Sequence, residues 1–205
     1  MFYLVGLGNP GNKYSLTRHN VGRIILDGYF KRLKVKEWIY DKKINALKSE
    51  MQIEKKKVML LLPETFMNNS GKALSKIIAS KNKARNLIVI HDDLDLPLGK
   101  FKIVFNRGSA GHKGVESVIR AVKTKEFARI RVGISPKIPS GKIRPVRKKF
   151  SNGVKKPDAK KILDFLMADF KPQETEIIKK ISPKIFEALN LIFNGELEKA
   201  MNKFN

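Results

Sequence analysis

The chain contains no cysteine, which removes disulfides, thiol nucleophiles and thiolate metal sites from consideration. Histidine is scarce, at His19, His91 and His112, so a histidine-rich metal cage is not expected. Acidic side chains are few: 19 against 43 lysines and arginines leave a net charge of +24 at pH 7 and an isoelectric point near 10.2. That excess favours polyanionic partners, nucleic acid before an acidic membrane surface. Apolar runs are short, Val58 to Leu62 being typical of the longest, against the ~18 residues that a membrane span needs. The opening MFYLVGLGNPG lacks the charged start of a signal peptide, so a soluble cytosolic protein is the expectation. No GxxxxGK[ST] phosphate loop and no Gly-x-Ser-x-Gly elbow occurs. What is present is 205 residues with 42% hydrophobic content, enough for one domain with a sizeable core.

Phe2 to Leu7 is apolar, with aromatic and β-branched character, and ends in Gly8-Asn9-Pro10-Gly11: a strand and then a loop. Val21, Ile24, Ile25 and Gly28 recur at helical spacing, which marks a helix over about residues 20–33. Residues 35–62 fit two or three strands, broken at Glu54-Lys55-Lys56-Lys57. Pro63 to Asn69 reads as a loop, and Ser70 as the cap of a helix carrying Leu74, Ile77 and Ile78. Leu87 to Ile90 is a short strand followed at once by an acidic loop; Phe101–Phe105 and Arg129–Ile134 are further strands. Gly108 to Gly114 is a glycine loop leading into a helix, and residues beyond 160 are helical. The fold class is therefore α/β: a single-domain α/β/α sandwich over residues 1–205, with a mostly parallel, twisted mixed sheet and C-terminal helices. In such sheets ligands gather at the carboxyl ends of the strands. The loops after residues 7, 62, 90 and 105 then share one rim, if those strands run parallel. Residues 137–161 stand apart: ten Lys/Arg and one Asp, net +9 in 25 residues, punctuated by Pro and Gly, read as a basic loop.

Gly6-x-Gly8-x-x-Gly11 follows a strand but is not a dinucleotide fingerprint. Pro10 drives Asn9 towards an extended conformation, and the next helix starts near residue 20, too far on to meet a pyrophosphate. The polar residues of the rim say more. Asn9, His19, Asn68, His91, Asp92, Asp93, Asp95 and His112 all follow strands or open helices. A histidine beside a carboxylate is an oriented general base, and an amide can donate to a carbonyl oxygen as it gains charge. With no serine elbow and no cysteine, water is the expected nucleophile, and water suits an ester better than an amide. Each residue alone has a plainer reading: His19 as a helix cap, Asn9 and Asn68 as turn residues, the aspartates as an ordinary acidic loop or a divalent-ion site.

Taken together, VGLGNPGNKYSLTRHNVG (5–22), PETFMNNSGKAL (63–74), HDDLDLPLGKFK (91–102), RGSAGHKGVESV (107–118) and RIRVGI (129–134) resemble bacterial peptidyl-tRNA hydrolases, in order and over nearly the whole chain. The resemblance implies hydrolysis of the ester joining a peptide to the 3′ ribose of tRNA, with peptidyl-tRNA as partner and no metal or other cofactor. It implies His19 as general base, Asp92 as its partner, and Asn9 and Asn68 as substrate-positioning residues. Tyr14, Phe66, Met67 and Asn68 are expected in the peptide groove, and His112 and Lys113 near the 3′ end. Lys100, Lys102, Arg107, Lys113, Arg129, Arg131 and the basic loop are the candidate phosphate contacts, Arg131 having a structural alternative within its strand. A cytoplasmic monomer completes the expectation. The competing reading is a non-catalytic RNA-binding protein on the same scaffold.

Two features depart from the family pattern. Lys113 stands where the family usually has asparagine in Gly-His-Asn-Gly, and a lysine has donors and no acceptor. It is expected to shift the balance towards RNA affinity, with some loss of water positioning. The basic segment before residue 161 is also longer than the usual connection.

Overall fold

The computed structural model describes residues 1–34, 37–53, 55–136 and 159–205. Seven strands form one sheet: β1 (Phe2–Gly6), β2 (Ile39–Asp41), β3 (Ala46–Ile53), β4 (Lys56–Pro63), β5 (Leu87–Pro97), β6 (Phe101–Phe105) and β7 (Ala128–Ser135), in the order β2-β3-β4-β1-β5-β7-β6. The inner strands β4, β1, β5 and β7 are mutually parallel, while β2, β3 and β6 run antiparallel to their neighbours. β1 shows why the centre is apolar on both faces. Leu4 points into one layer, and Tyr3 and Val5 into the other, as the two-residue period of a strand requires. The first layer is closed by α1 (Val21–Arg32) and by α6 (Pro172–Phe193), which follows α5 (Ala159–Met167) and leads into α7 (Leu197–Phe204). The second is closed by α2 (Lys72–Ser75), α3 (Lys81–Arg85) and α4 (Lys113–Val122).

Two of these elements place the site. Helix α1 begins at the carboxyl end of β1, and Gly22 lets it come close: a Cβ there would collide with the carbonyls of Ile90 and Leu7. The acidic loop expected after Ile90 is instead the second half of β5. The strand runs on to Pro97, past the end of β1 at Gly6, because β7 continues to pair with it through Asp93 opposite Gly133. Its charges are met from β7: Arg131 bonds Asp93, so polar residues remain in strand.

Three other expectations are corrected. β6 is antiparallel to β7, so the loop after Phe105 leaves from the level of Ala128, away from the carboxyl rim. It returns through left-handed turns at Asn106, Ala110 and Gly111 to deliver His112. Ser70 does not cap a helix; its hydroxyl donates to the Met67 carbonyl (2.8 Å) and closes a 3-10 helix at Met67–Asn69. Helix α2 is a single turn that ends before Ile77, and it is Ser80 that caps a helix, α3, by accepting from the Lys83 N–H. Residues 159–161 of the expected basic loop open α5, and residues 137–158 lie outside the described residues. Among the described residues, no helix is long and apolar enough to cross a membrane.

Candidate active site

A 3-10 helix at Arg18–Asn20 carries His19 into the start of α1, and β5 presents Asp92 across from it. The His19 Nδ1 lies 2.8 Å from Asp92 Oδ1, with both side chains buried. A second imidazole meets the same oxygen: His112 Nε2, also at 2.8 Å. The tautomers follow from the other contacts. His112 Nδ1 accepts the N–H groups of Gly114 (3.1 Å) and Val115 (3.2 Å), capping α4, so its proton sits on Nε2 and points at Asp92. A carboxylate accepts, so His19 carries its proton on Nδ1, and the lone pair of Nε2 is left for chemistry. His91 is fixed from behind. Arg129 donates to its Nε2 (3.3 Å), and its Nδ1 donates to the Asp92 carbonyl (2.7 Å).

The charge states are consistent with this geometry. Burial alone would lower the His19 pKa, but the charge of Asp92 and the hydrogen bond to it outweigh burial and raise it. Burial would raise Asp92, yet the two imidazoles hold its carboxyl far below the usual carboxylate range. His91 is pushed well down, first by burial and also by its neighbours His112 and Arg129, and it stays neutral, its Nε2 accepting from Arg129. Three potential ligand atoms, on His19, Asp92 and His112, lie within 4.8 Å of one another. Both nitrogens direct N–H groups at the shared oxygen, so a cation would have to displace two hydrogen bonds; the donor set fits a proton-handling group better than a metal cage.

Asn9 is locked beside this group by reciprocal bonds. Its N–H donates to Asn20 Oδ1 (2.7 Å), and Asn20 Nδ2 donates back to the Asn9 carbonyl (2.9 Å). Its side-chain oxygen accepts the Met67 N–H (2.8 Å), which turns the amide NH2 outwards, where it meets the Met167 sulfur at 3.8 Å. Asn68 follows in the same 3-10 helix, exposed. Phe66 is also exposed and packs edge-on against Tyr14, ring centroids 6.4 Å apart. Met67 differs from the expectation of a groove-lining side chain: it is 5% exposed and belongs to the core layer under α4, while its backbone N–H holds Asn9.

A cavity of about 370 Å³ opens beside His19, Asp92 and His112, with Lys113 exposed at its edge. Its far wall is α5, through Ile162, Leu163 and Leu166. Neither this wall nor Asn20 is among the site residues that the sequence singles out. Asn20 had a signal, standing next to His19; the α5 residues have the spacing of an ordinary amphipathic helix.

Of the candidate phosphate contacts, Lys100, Lys102 and Arg107 are exposed. Arg131 bonds Asp93 through Nε, is partly exposed, and pairs in register with Lys102 across β6 and β7. Arg129 is corrected: it is 2% exposed and committed to His91 and the Gly108 carbonyl (2.8 Å), so it does not reach phosphate. Burial, and then the charge of Arg131, lower its pKa to about 10. It ties the loop that carries His112 to the strand that carries Asp92. Arg129→Met is expected to cost roughly 1–3 kcal/mol in urea unfolding, because it leaves the buried His91 Nε2 without a donor, while the Gly108 carbonyl, on an exposed residue, can turn to water.

The chain is similar to known proteins along its whole length. A family model described as peptidyl-tRNA hydrolase matches residues 3–205. A peptidyl-tRNA hydrolase of Thermodesulfovibrio yellowstonii is 36% identical over 209 residues, covering 100% of this chain and 99% of the relative. One of Pseudothermotoga lettingae is 34% identical over 206 residues, covering 100% and 97%. Among solved structures, a peptidyl-tRNA hydrolase of Acinetobacter baumannii superposes with a TM-score of 0.83 at 24% identity, covering 100% of this chain and 94% of that one, a likeness of fold.

Proposed function

The chain belongs to the peptidyl-tRNA hydrolase family and cleaves the ester between peptide and tRNA, and from that premise we propose that His19 and Asp92 carry the reaction, with Asn9 and Asn68 positioning the substrate. The observation that carries this reading is the 2.8 Å contact that leaves His19 Nε2 basic beside an open cavity. Nε2 takes a proton from water as the water oxygen bonds to the ester carbonyl carbon. Asp92 stabilises the imidazolium so formed. As the tetrahedral species collapses, the bond from carbon to the ribose oxygen breaks, and His19 returns the proton to that oxygen. The Asn9 amide NH2, already turned outwards, donates to a backbone carbonyl of the peptide, and the Asn68 amide donates to the developing oxyanion. Phe66 and Tyr14 offer an apolar face to the peptide without selecting a particular side chain. Among the described residues the site draws on one chain, which supports a monomer, and a tRNA substrate supports work in the cytoplasm.

The non-catalytic alternative is set aside with the family assignment, though the positive surface it rested on keeps a role. Lys102 and Arg131, side by side at the β6–β7 edge, are proposed to hold a tRNA phosphate, with Lys100, Arg107 and Lys113 adding charge. Lys102→Ala is expected to weaken tRNA binding and to flatten the slope of log K against log salt by about 0.7–0.9, the loss of one phosphate contact. Filter binding across salt concentrations checks it; an unchanged slope would make Lys102 a solvated charge.

The deciding experiment follows the release of free N-blocked amino acid from a defined N-blocked aminoacyl-tRNA, with the parent and His19→Ala proteins side by side. Equal rates in the two would remove His19 from the mechanism.

A further inference from the structure

Beside the base, the neighbouring side chain is tied to three separate elements at once. Arg18 is 6% exposed, in a 3-10 helix whose three residues are all buried. Its guanidinium donates to the Ala168 carbonyl (3.2 Å) through one terminal nitrogen and pairs with Glu174 Oε2 (2.7 Å) through the other. The guanidinium carbon lies 4.7 Å from the centroid of Phe165, in the last turn of α5, and 5.7 Å from that of Phe170. The backbone makes the same connection. Arg18 N–H donates to the Ala168 carbonyl, Phe170 N–H donates to the Leu16 carbonyl, and Thr17 and Asp169 form an isolated antiparallel bridge. Glu174 also accepts the N–H of Lys171 at the start of α6, so the ion pair is anchored at both ends.

What this tie holds is the wall of the cavity. Helix α5 has no fully buried residue of its own, so packing alone holds it weakly. Yet its Ile162, Leu163 and Leu166 face His19 and Asp92 across the cavity, and Met167 touches the outward amide of Asn9. The residue that seats α5 is covalently next to the base. A planar fork suits this task because it can bind a carboxylate and a carbonyl while stacking on two rings, which a lysine cannot do together.

We infer that Arg18 is a positioning residue for the hydrolysis: it pins the α5 wall and the His19 segment into one unit, so that the cavity that receives the substrate keeps a fixed relation to the base. The inference rests on the reading of His19 as base and of the adjoining cavity as the substrate's place. Arg18 does not touch the reacting atoms, and its loss is felt in binding more than in chemistry.

The test is steady-state cleavage of an N-blocked aminoacyl-tRNA by the parent, Glu174→Gln, Arg18→Lys and Arg18→Met proteins, with thermal unfolding of each. Glu174→Gln keeps the shape and removes the charge; it is expected to raise KM about 5- to 10-fold with kcat within about 2-fold, as for a charge-assisted bond made neutral. Arg18→Met is expected to raise KM about 30-fold, and Arg18→Lys to recover part of that, keeping the ion pair without the fork. The acid limb of the pH profile stays where the parent has it, because the His19–Asp92 contact is untouched. An unchanged KM in Glu174→Gln and Arg18→Met overturns the inference. So does a loss of kcat that follows the folded fraction alone. If Arg18→Met does not fold, the KM of Glu174→Gln decides. A parent that cleaves no faster than His19→Ala fails the functional reading itself, and this inference with it.

Discussion

His19→Ala lowers kcat on an N-blocked aminoacyl-tRNA by about 10²–10⁴-fold, the range that a positioned general base supplies, while KM stays near the parent value. The loss falls on kcat because His19 Nε2 has work only when water gives up its proton. The fold survives the change. Asp92 keeps the His112 N–H, so its charge is not stranded, and Gly22 still seats α1 against β1 and β5. The parent's rate should rise with pH through a limb lying above 6.5, since Asp92 raises the His19 pKa against the pull of burial and only the neutral imidazole accepts a proton. Stability runs the other way. A pKa raised on folding contributes stability that is fully present below the unfolded value and is lost as pH rises through the folded one. Across the window just above pH 6.5, the protein therefore gains activity while it gives up the stabilisation due to charged His19. In His19→Ala both trends vanish from the rate profile and the unfolding curve. A variant that keeps the parent's rate would transfer the role of base to another group.

Much of the frame was legible because its signals are local. The apolar run ending in Gly8-Asn9-Pro10 marked β1, helical spacing marked α1 to within a residue or two, and Phe101–Phe105 alternates as a strand should. The extent of β5 was not legible. His91, Asp92 and Asp93 carry the chemistry of a loop and remain in strand because β7 pairs with them, Arg129 meeting His91 and Arg131 meeting Asp93, while two imidazoles meet Asp92. Strand direction was not legible at β6 either, since alternation is the same whichever way a strand runs. Arg129 looked like any cation of a basic protein; its burial is decided by which face of β7 it occupies and by a glycine loop 21 residues away in sequence. For the candidate site, the residue types suggested a base and a carboxylate. Their meeting across 73 residues depends on the parallel pairing of β1 with β5 and on the close approach at Gly22, neither of which any single segment encodes.

Asp92→Asn is the sharper test, because it changes a charge and almost no volume. Two imidazole N–H groups converge on one oxygen of Asp92. An asparagine oxygen in that place could still accept them, but it carries no charge to stabilise an imidazolium. With the amide turned round, its NH2 would drive the proton of His19 onto Nε2 and occupy the lone pair that water needs. Either way kcat is expected to fall by about 10²–10⁴-fold, as when an oriented base loses its carboxylate. The two outcomes differ in the profile that remains. Where the amide oxygen stays inward, the residual rate keeps an acid limb, now moved below pH 6.5, because burial acts on His19 without an opposing charge. Where the amide is reversed, the limb disappears. The acid side of the stability curve should change too. Asp92 in the parent has a depressed pKa, and the stability it contributes is present above the ordinary carboxylate range and lost as pH falls through the folded value; the amide has no such dependence. A limb left at the parent's position, with kcat unchanged, would mean that the carboxylate holds the loop of His112 in place and does nothing for His19.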